Sequence, residues 1–150
     1  MYKRQRGHLA IHSADPKVQP AIHPNYLSTE QDLSDVRTGT RLLRRLAATA
    51  PLAALIDHEM LPGAAKQTDA ELLQDFRERA GTVFHPVSTC MMGPDPASAV
   101  VDARLRVHGI EGLRVIDASV FPSLTSGNTN APTAMVADKG AAMLMADDSR

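Results

Sequence analysis

RVIDASVFPSLTSGNTNAPTAMVADK, residues 114–139, is the stretch that decides how the chain is read. Val115-Ile116 is a short apolar run that reads as a buried strand end. Asp117-Ala118-Ser119 follows at the strand's carboxyl edge. A polar loop then runs from Pro122 to Asn130, with Gly127 inside it. A helix is predicted from about Ala131 to about Met145, with Asn130 as its N-cap and Pro132 in its first turn, where a missing N–H costs nothing. Strand, acid, polar loop and helix N-terminus in that order suit a ligand with anionic or electron-rich oxygen.

A second stretch belongs with it. His85-Pro86-Val87-Ser88-Thr89-Cys90-Met91-Met92-Gly93 is rich in turn residues and begins with one imidazole. HPVSTCMMG, then VVDARLRVHGIEGLRVIDAS, then SGNTNAPT before a helix, resemble the C-terminal part of the glucose–methanol–choline (GMC) oxidoreductases, in particular the choline-dehydrogenase-like branch. The resemblance runs from about Arg6 onward. It implies an α+β fold: a substrate-side antiparallel sheet with helices, plus the returning strand and last helix of an FAD domain. Residues 6–84 are then mainly substrate-side, and residues 112–150 return to the FAD domain.

The resemblance also implies roles. The histidine of the first motif faces the flavin and takes the alcohol proton; it falls on His85. The second catalytic position carries His or Asn in the family and, counted back from Lys139, falls on Asn128. Asp117 and Ala118 match the segment that contacts the FAD chain. Thr129 and Asn130, at the start of the last helix, would stabilise negative charge on the pyrimidine side of a reduced flavin. The implied activity is FAD-dependent oxidation of a primary alcohol to the aldehyde, with hydride passing to flavin N5.

Elementary chemistry agrees with that division of labour. Oxidising an alcohol moves a hydride from carbon and a proton from oxygen. No side chain accepts two electrons, so the hydride needs a cofactor. A histidine suits the proton, and an amide can hold and orient the hydroxyl but cannot take its proton. On residues alone, His85 also reads as a hydrogen-bonded structural residue at a strand end, and Asp117 as the cap of a turn. Two positions depart from the family. Ser88 stands where glycine is usual, which matters only if the backbone there has positive φ. Met91 stands where a basic residue is common.

Composition bounds the alternatives. The chain has 150 residues, 43% hydrophobic and 22% charged, enough for a core of its own. A net charge of −1 gives no electrostatic reason for a nucleic-acid partner. The single cysteine, Cys90, rules out an intrachain disulfide and fits a cytoplasmic setting. No apolar run is long enough to span a bilayer. His8, His12 and His23 show no metal-site spacing, so no metal is expected. A metal-dependent hydrolase using His85 lacks a ligand set, and a Cys90–His85 nucleophile pair lacks a group to orient the ring. Cys90, Met92, Met143 and Met145 read as packing residues.

The rest of the chain is expected to be mostly helical. Ser28 and Gln31 suggest a capping box for a helix to about Ala48, with Leu33, Val36, Thr40, Leu43 and Ala47 on its buried face and its arginines solvated. Pro51 to Met60 suggests a short second helix carrying His58. Thr68 and Glu71 suggest a capping box for a helix over Asp69–Ala80, burying Leu72, Leu73, Phe76 and Ala80. Strands are expected near Leu9–Ile11, Val100–Val101, Leu105–Val107 and Arg114–Ile116, and an extended connector over Val18–Tyr26. No G-x-G-x-x-G occurs, so the expected chain is a fragment without the cofactor-holding half, inactive alone and a poor binder of FAD. Met1–Gln5 also matches a translated transposon-end adapter and is expected to be non-native. The competing reading is a non-catalytic fragment or interaction module that keeps the fold. Which alcohol is oxidised is not legible in the sequence.

Overall fold

The computed structural model describes residues 6–148; the expected adapter-derived Met1–Gln5 lies outside the described residues. The chain divides into two units. One holds residues 8–21 and 83–148, and the other residues 6–7 and 22–82. The elements run β1 (His8–Ala10), β2 (Ala21–His23), α1 (Glu30–Ala47), α2 (Ala50–Ala53), α3 (Asp69–Arg79), a 3-10 turn (Ala118–Val120) and α4 (Asn130–Asp148). This is the mixed helix and small-strand architecture of the α+β expectation.

In the unit of residues 22–82, capping chemistry sets the helix starts. Thr68 accepts from Glu71 N at 3.3 Å while Glu71 accepts from Thr68 N at 2.8 Å, the expected capping box. Leu72 and Leu73 are buried on α3 as expected, but Phe76 is 39% exposed and Ala80 is the extended C-cap. The start of α1 lies one residue beyond the expected box. Thr29, not Ser28, is the cap and accepts from Asp32 N at 3.2 Å, while Gln31 donates to Asp35 instead. On α1, Leu33, Val36, Thr40 and Ala47 are half-buried, but Leu43 is 67% exposed.

The arginines of α1 depart from the expected solvated row. Arg44 holds the Glu59 carboxylate at 3.0 Å and donates to the carbonyls of Gly63 at 3.2 Å and Lys66 at 2.9 Å. It therefore organises the loop that leads into α3. The expected helix over Pro51–Met60 is reduced to the four residues of α2. Leu55, Ile56 and Met60 beyond it are exposed, so continuing the helix would bury nothing to offset its ordering. His58 lies outside α2 and pairs with its neighbour Asp57 at 2.8 Å, which a helix would have forbidden.

The other unit is built on Val101, Leu105, Val120, Phe121 and Val136, with Val87, Met92, Val107, Val115 and Ile116 packed against them. Val101 and Val120 are wholly buried, each stabilising the fold by about 1.5–3 kcal/mol. The three expected strands over residues 100–116 are present only as isolated bridges: Met92 with Val101 in parallel, Val101 with Val107 and Arg106 with Arg114 antiparallel. Leu105 has φ of +63°, which a continuous ladder does not allow, and Asp102 ties the bend by accepting from Arg104 N at 2.8 Å and Arg106 N at 3.0 Å. Gly109 and Gly112 make the turn expected between the two runs, at φ of +76° and +72°. β1 lies one residue earlier than expected, and β2 is a strand within the expected connector.

Helix α4 packs on this core through Gly140. A Cβ there would lie 2.5 Å from Ile116 Cγ2 and 3.2 Å from Leu105 Cδ1, so only glycine admits the approach. Arg104 and Arg114 pair with Asp147 near its C-terminus. Met135 and Met145 are 59% and 74% exposed, so Met145 is not core filler as expected. Among the described residues no helix is long and apolar enough to cross a membrane.

Candidate active site

His85 and Thr129 are brought together by the fold. His85 Nδ1 lies 3.0 Å from Thr129 Oγ1, a contact between residues 44 positions apart. The imidazole is half-buried and Thr129 is 8% exposed.

The segment that carries His85 is bent by backbone rather than by regular structure. Phe84 has φ of +56° and Ser88 φ of +74°, so left-handed residues bracket His85-Pro86-Val87. Ser88 thus has the positive φ at which the expected departure from glycine would matter, because a side chain there costs about 1–2 kcal/mol. Its hydroxyl is also buried with no partner among the described residues. Beyond the bend the segment is stitched down: Cys90 N donates to Ser119 O at 3.0 Å and Met92 N to Val120 O at 2.9 Å. Val87 and Met92 pack on the core.

Thr129 is placed by the start of α4. Thr133 N donates to the Thr129 carbonyl at 2.9 Å, which makes Thr129 the cap and Asn130 the first helical residue, one position earlier than expected. The Thr133 hydroxyl donates to the same carbonyl at 2.7 Å. Asn130 and Ala131 offer first-turn N–H groups, whereas Pro132 has none. Asn128 lies immediately before Thr129 and is exposed. The hydroxyl contact to His85 is the feature that the sequence reading missed, since Thr129 was expected only to stabilise negative charge at the start of the helix.

Asp117 caps the 3-10 turn: its Oδ1 accepts from Ser119 N at 2.7 Å. Of the two expectations for Asp117, capping is thus present, and its exposed carboxylate still has a second oxygen to offer. Ala118 packs against the core and is half-buried. Ser119 Oγ is buried with no partner among the described residues.

The remaining candidates stay outside this cluster. Cys90 is a half-buried free thiol whose backbone joins the Ser119 carbonyl. His108 Nε2 lies 3.0 Å from the Gly93 carbonyl and pins that turn. Among the described residues no set of three or more His, Cys, Asp or Glu side chains is placed to hold a metal ion.

Comparison with known proteins covers the segments that carry these residues. The family model described as GMC oxidoreductase matches residues 3–137. An alcohol dehydrogenase [acceptor] of Pseudomonas putida is 43% identical over 142 residues, covering 95% of this chain and 26% of its own length. The mitochondrial choline dehydrogenase of Mus musculus is 49% identical over 137 residues, covering 90% of this chain and 23% of its own. Among solved structures, an FAD-dependent oxidoreductase from Chaetomium thermophilum superposes with a TM-score of 0.91 at 27% identity, covering 99% of this chain and 26% of that one. The pyridoxine 4-oxidase of Mesorbium loti superposes at 0.87 with 33% identity, over 94% of this chain and 27% of that one. The chain thus spans about a quarter of the length of the relatives it matches. With the family model covering the bend at His85 and the start of α4, and likeness in sequence and backbone over nine-tenths of its residues, the chain belongs to the GMC oxidoreductases.

Proposed function

We propose that this chain supplies the substrate-side part of a site that oxidises a primary alcohol to the aldehyde, with His85 as base and Asn128 orienting the alcohol. In this reading FAD, when bound, would supply the two-electron acceptor for the hydride. The observation that carries the reading is the His85–Thr129 pair: Nδ1 is held at 3.0 Å, and Nε2 is left as the nitrogen for the alcohol proton.

The residues present fit such a cofactor. First-turn N–H groups at Asn130 and Ala131, at the positive end of a 19-residue helix, suit the electron-rich oxygens of an isoalloxazine. Ser119 Oγ, buried and without a partner among the described residues, follows Asp117 and Ala118, the two residues expected to meet the FAD chain. A polar cofactor chain there would satisfy it.

The work assigned to the chain's own residues is limited and specific. Asn128 holds the hydroxyl oxygen through its amide and aims the carbinol carbon. His85 Nε2 receives the hydroxyl proton as the hydride leaves carbon, so no alkoxide stands unpaired. Thr129 and Asn130 offer backbone N–H groups to developing negative charge. The substrate class follows the relatives, an alcohol dehydrogenase and choline dehydrogenases, so choline is the first alcohol to try.

The test is a chimera in which this chain replaces the corresponding quarter of the Pseudomonas putida relative. Anaerobic flavin bleaching is followed with choline and with aliphatic and aromatic primary alcohols. His85→Ala is expected to slow bleaching by roughly a hundredfold or more, the lower scale for loss of a general base. Bound flavin that no alcohol reduces would overturn the reading and favour a non-catalytic module.

A further inference from the structure

We propose that Thr129 is a positioning residue for His85. Its Oγ1 accepts a hydrogen bond from Nδ1–H and so fixes the ring in the tautomer whose bare nitrogen is Nε2. The inference rests on the reading of His85 as the alcohol's proton acceptor.

Three features of the fold prepare Thr129 for this task. Its backbone is clamped, because both the N–H and the hydroxyl of Thr133 donate to its carbonyl, at 2.9 Å and 2.7 Å. Its side chain lacks one of the two usual partners of a capping hydroxyl. A capping hydroxyl accepts from the N–H of the second or third helical residue, and the third here is Pro132, which has none. The hydroxyl is then turned to the ring, with Oγ1 3.0 Å from Nδ1 in a site where Thr129 is 8% exposed. Water competes poorly for the Thr129 hydroxyl there.

The direction of the bond follows from the chemistry asked of the ring. A hydroxyl can donate to Nδ1 or accept from it. If it donated, the neutral ring would carry its proton on Nε2 and have no lone pair for the alcohol. If it accepts, Nε2 is bare before the reaction and protonated after it. The Nδ1–H bond to Oγ1 is then the same in both states, and no group rotates as the proton arrives. Only the second arrangement lets one fixed geometry serve base and conjugate acid.

His108 supplies a contrast within the same unit. Its Nε2 faces the Gly93 carbonyl at 3.0 Å, and a carbonyl only accepts, so that ring carries its proton on Nε2. In this proposal the two rings are opposite tautomers, His108 by its partner and His85 by the chemistry asked of it.

The test is long-range proton–nitrogen NMR of the 150-residue chain with labelled histidines, at about pH 9, where histidines are ordinarily neutral. The expected spectrum shows His85 protonated on Nδ1 and His108 on Nε2. Thr129→Val, which keeps the shape and removes the hydroxyl, is expected to lower the Nδ1–H to Nε2–H ratio of His85 by about fivefold, the ratio set by one neutral hydrogen bond. Thr129→Ser is expected to restore it, and His108 is unmoved in both. A His85 ring protonated on Nε2 in the unaltered chain overturns the proposal, and so does a ratio that Thr129→Val leaves unchanged. Should the valine variant fail to fold, the unaltered chain and the serine variant still decide. The chimera separates this from the alcohol reading. Nδ1–H with no bleaching by any alcohol keeps the pairing and ends that reading. His85-dependent bleaching with Nε2–H in the resting ring does the reverse.

Discussion

Replacing Ser88 by glycine is expected to stabilise the segment that carries His85. Ser88 has φ of +74°, a conformation that costs a residue with a Cβ about 1–2 kcal/mol. Its Oγ is buried without a partner among the described residues, which adds about 1–3 kcal/mol of lost hydration. Glycine removes both costs and gives back about 0.5–1 kcal/mol through its greater freedom when unfolded. The net gain is about 2 kcal/mol, which slows opening by about thirtyfold. Native-state hydrogen exchange reads this directly at the amides of Cys90 and Met92, which bond to the Ser119 and Val120 carbonyls just beyond the bend. Exchange at those amides that is unchanged or faster in Ser88→Gly would refute the reasoning, because the backbone would then not be left-handed at that position.

Three further outcomes are expected. Gly140→Ala places a Cβ 2.5 Å from Ile116 Cγ2, a branch atom that cannot swing away, and the overpacking should cost about 1–3 kcal/mol; a melting temperature equal to or above that of the unaltered chain would contradict it. The Arg79 guanidinium, opposed by burial and helped by Lys66, holds the Asp75 carboxyl at about 2, below its ordinary 3.8. The folded state therefore gains stability from this carboxylate above about pH 4 and loses it as pH falls towards about 2, and Asp75→Asn should flatten the urea-midpoint profile across that window; parallel profiles would exclude the role. Thr68→Ala removes the cap that accepts from Glu71 N and should cost about 1 kcal/mol, with Thr68→Ser restoring most of it, again by urea midpoint. Equal losses in both variants would place the effect outside the cap.

The helices were legible because their information is local. Thr68 and Glu71, with the apolar spacing behind them, specify the start of α3 within four residues. The starts of α1 and α4 were read one residue off because neighbouring hydroxyl and amide residues compete for the cap, and packing chooses between Ser28 and Thr29 or Thr129 and Asn130. The strands over residues 100–116 were misread as longer than they are. Leu105 looks like any apolar strand residue, and only the folded chain requires its positive φ. His85 was legible through its motif. Its contact with Thr129 was not, because nothing local links residues 44 apart. The sequence also framed Ser88 as a question of φ, which only a backbone could answer.

The two left-handed residues at Phe84 and Ser88 also bear on how the length of this chain can vary. Each reverses the local sense of the backbone, so together they fix the number of residues between them. Adding or deleting one residue between them would rotate the imidazole away from the Thr129 hydroxyl while leaving the core stitches of Cys90 and Met92 in place. The exposed stretch at Pro122 and Ser123 carries no such count. Insertions and deletions introduced by a library of length variants should therefore survive there and be lost from the five residues that end at Ser88.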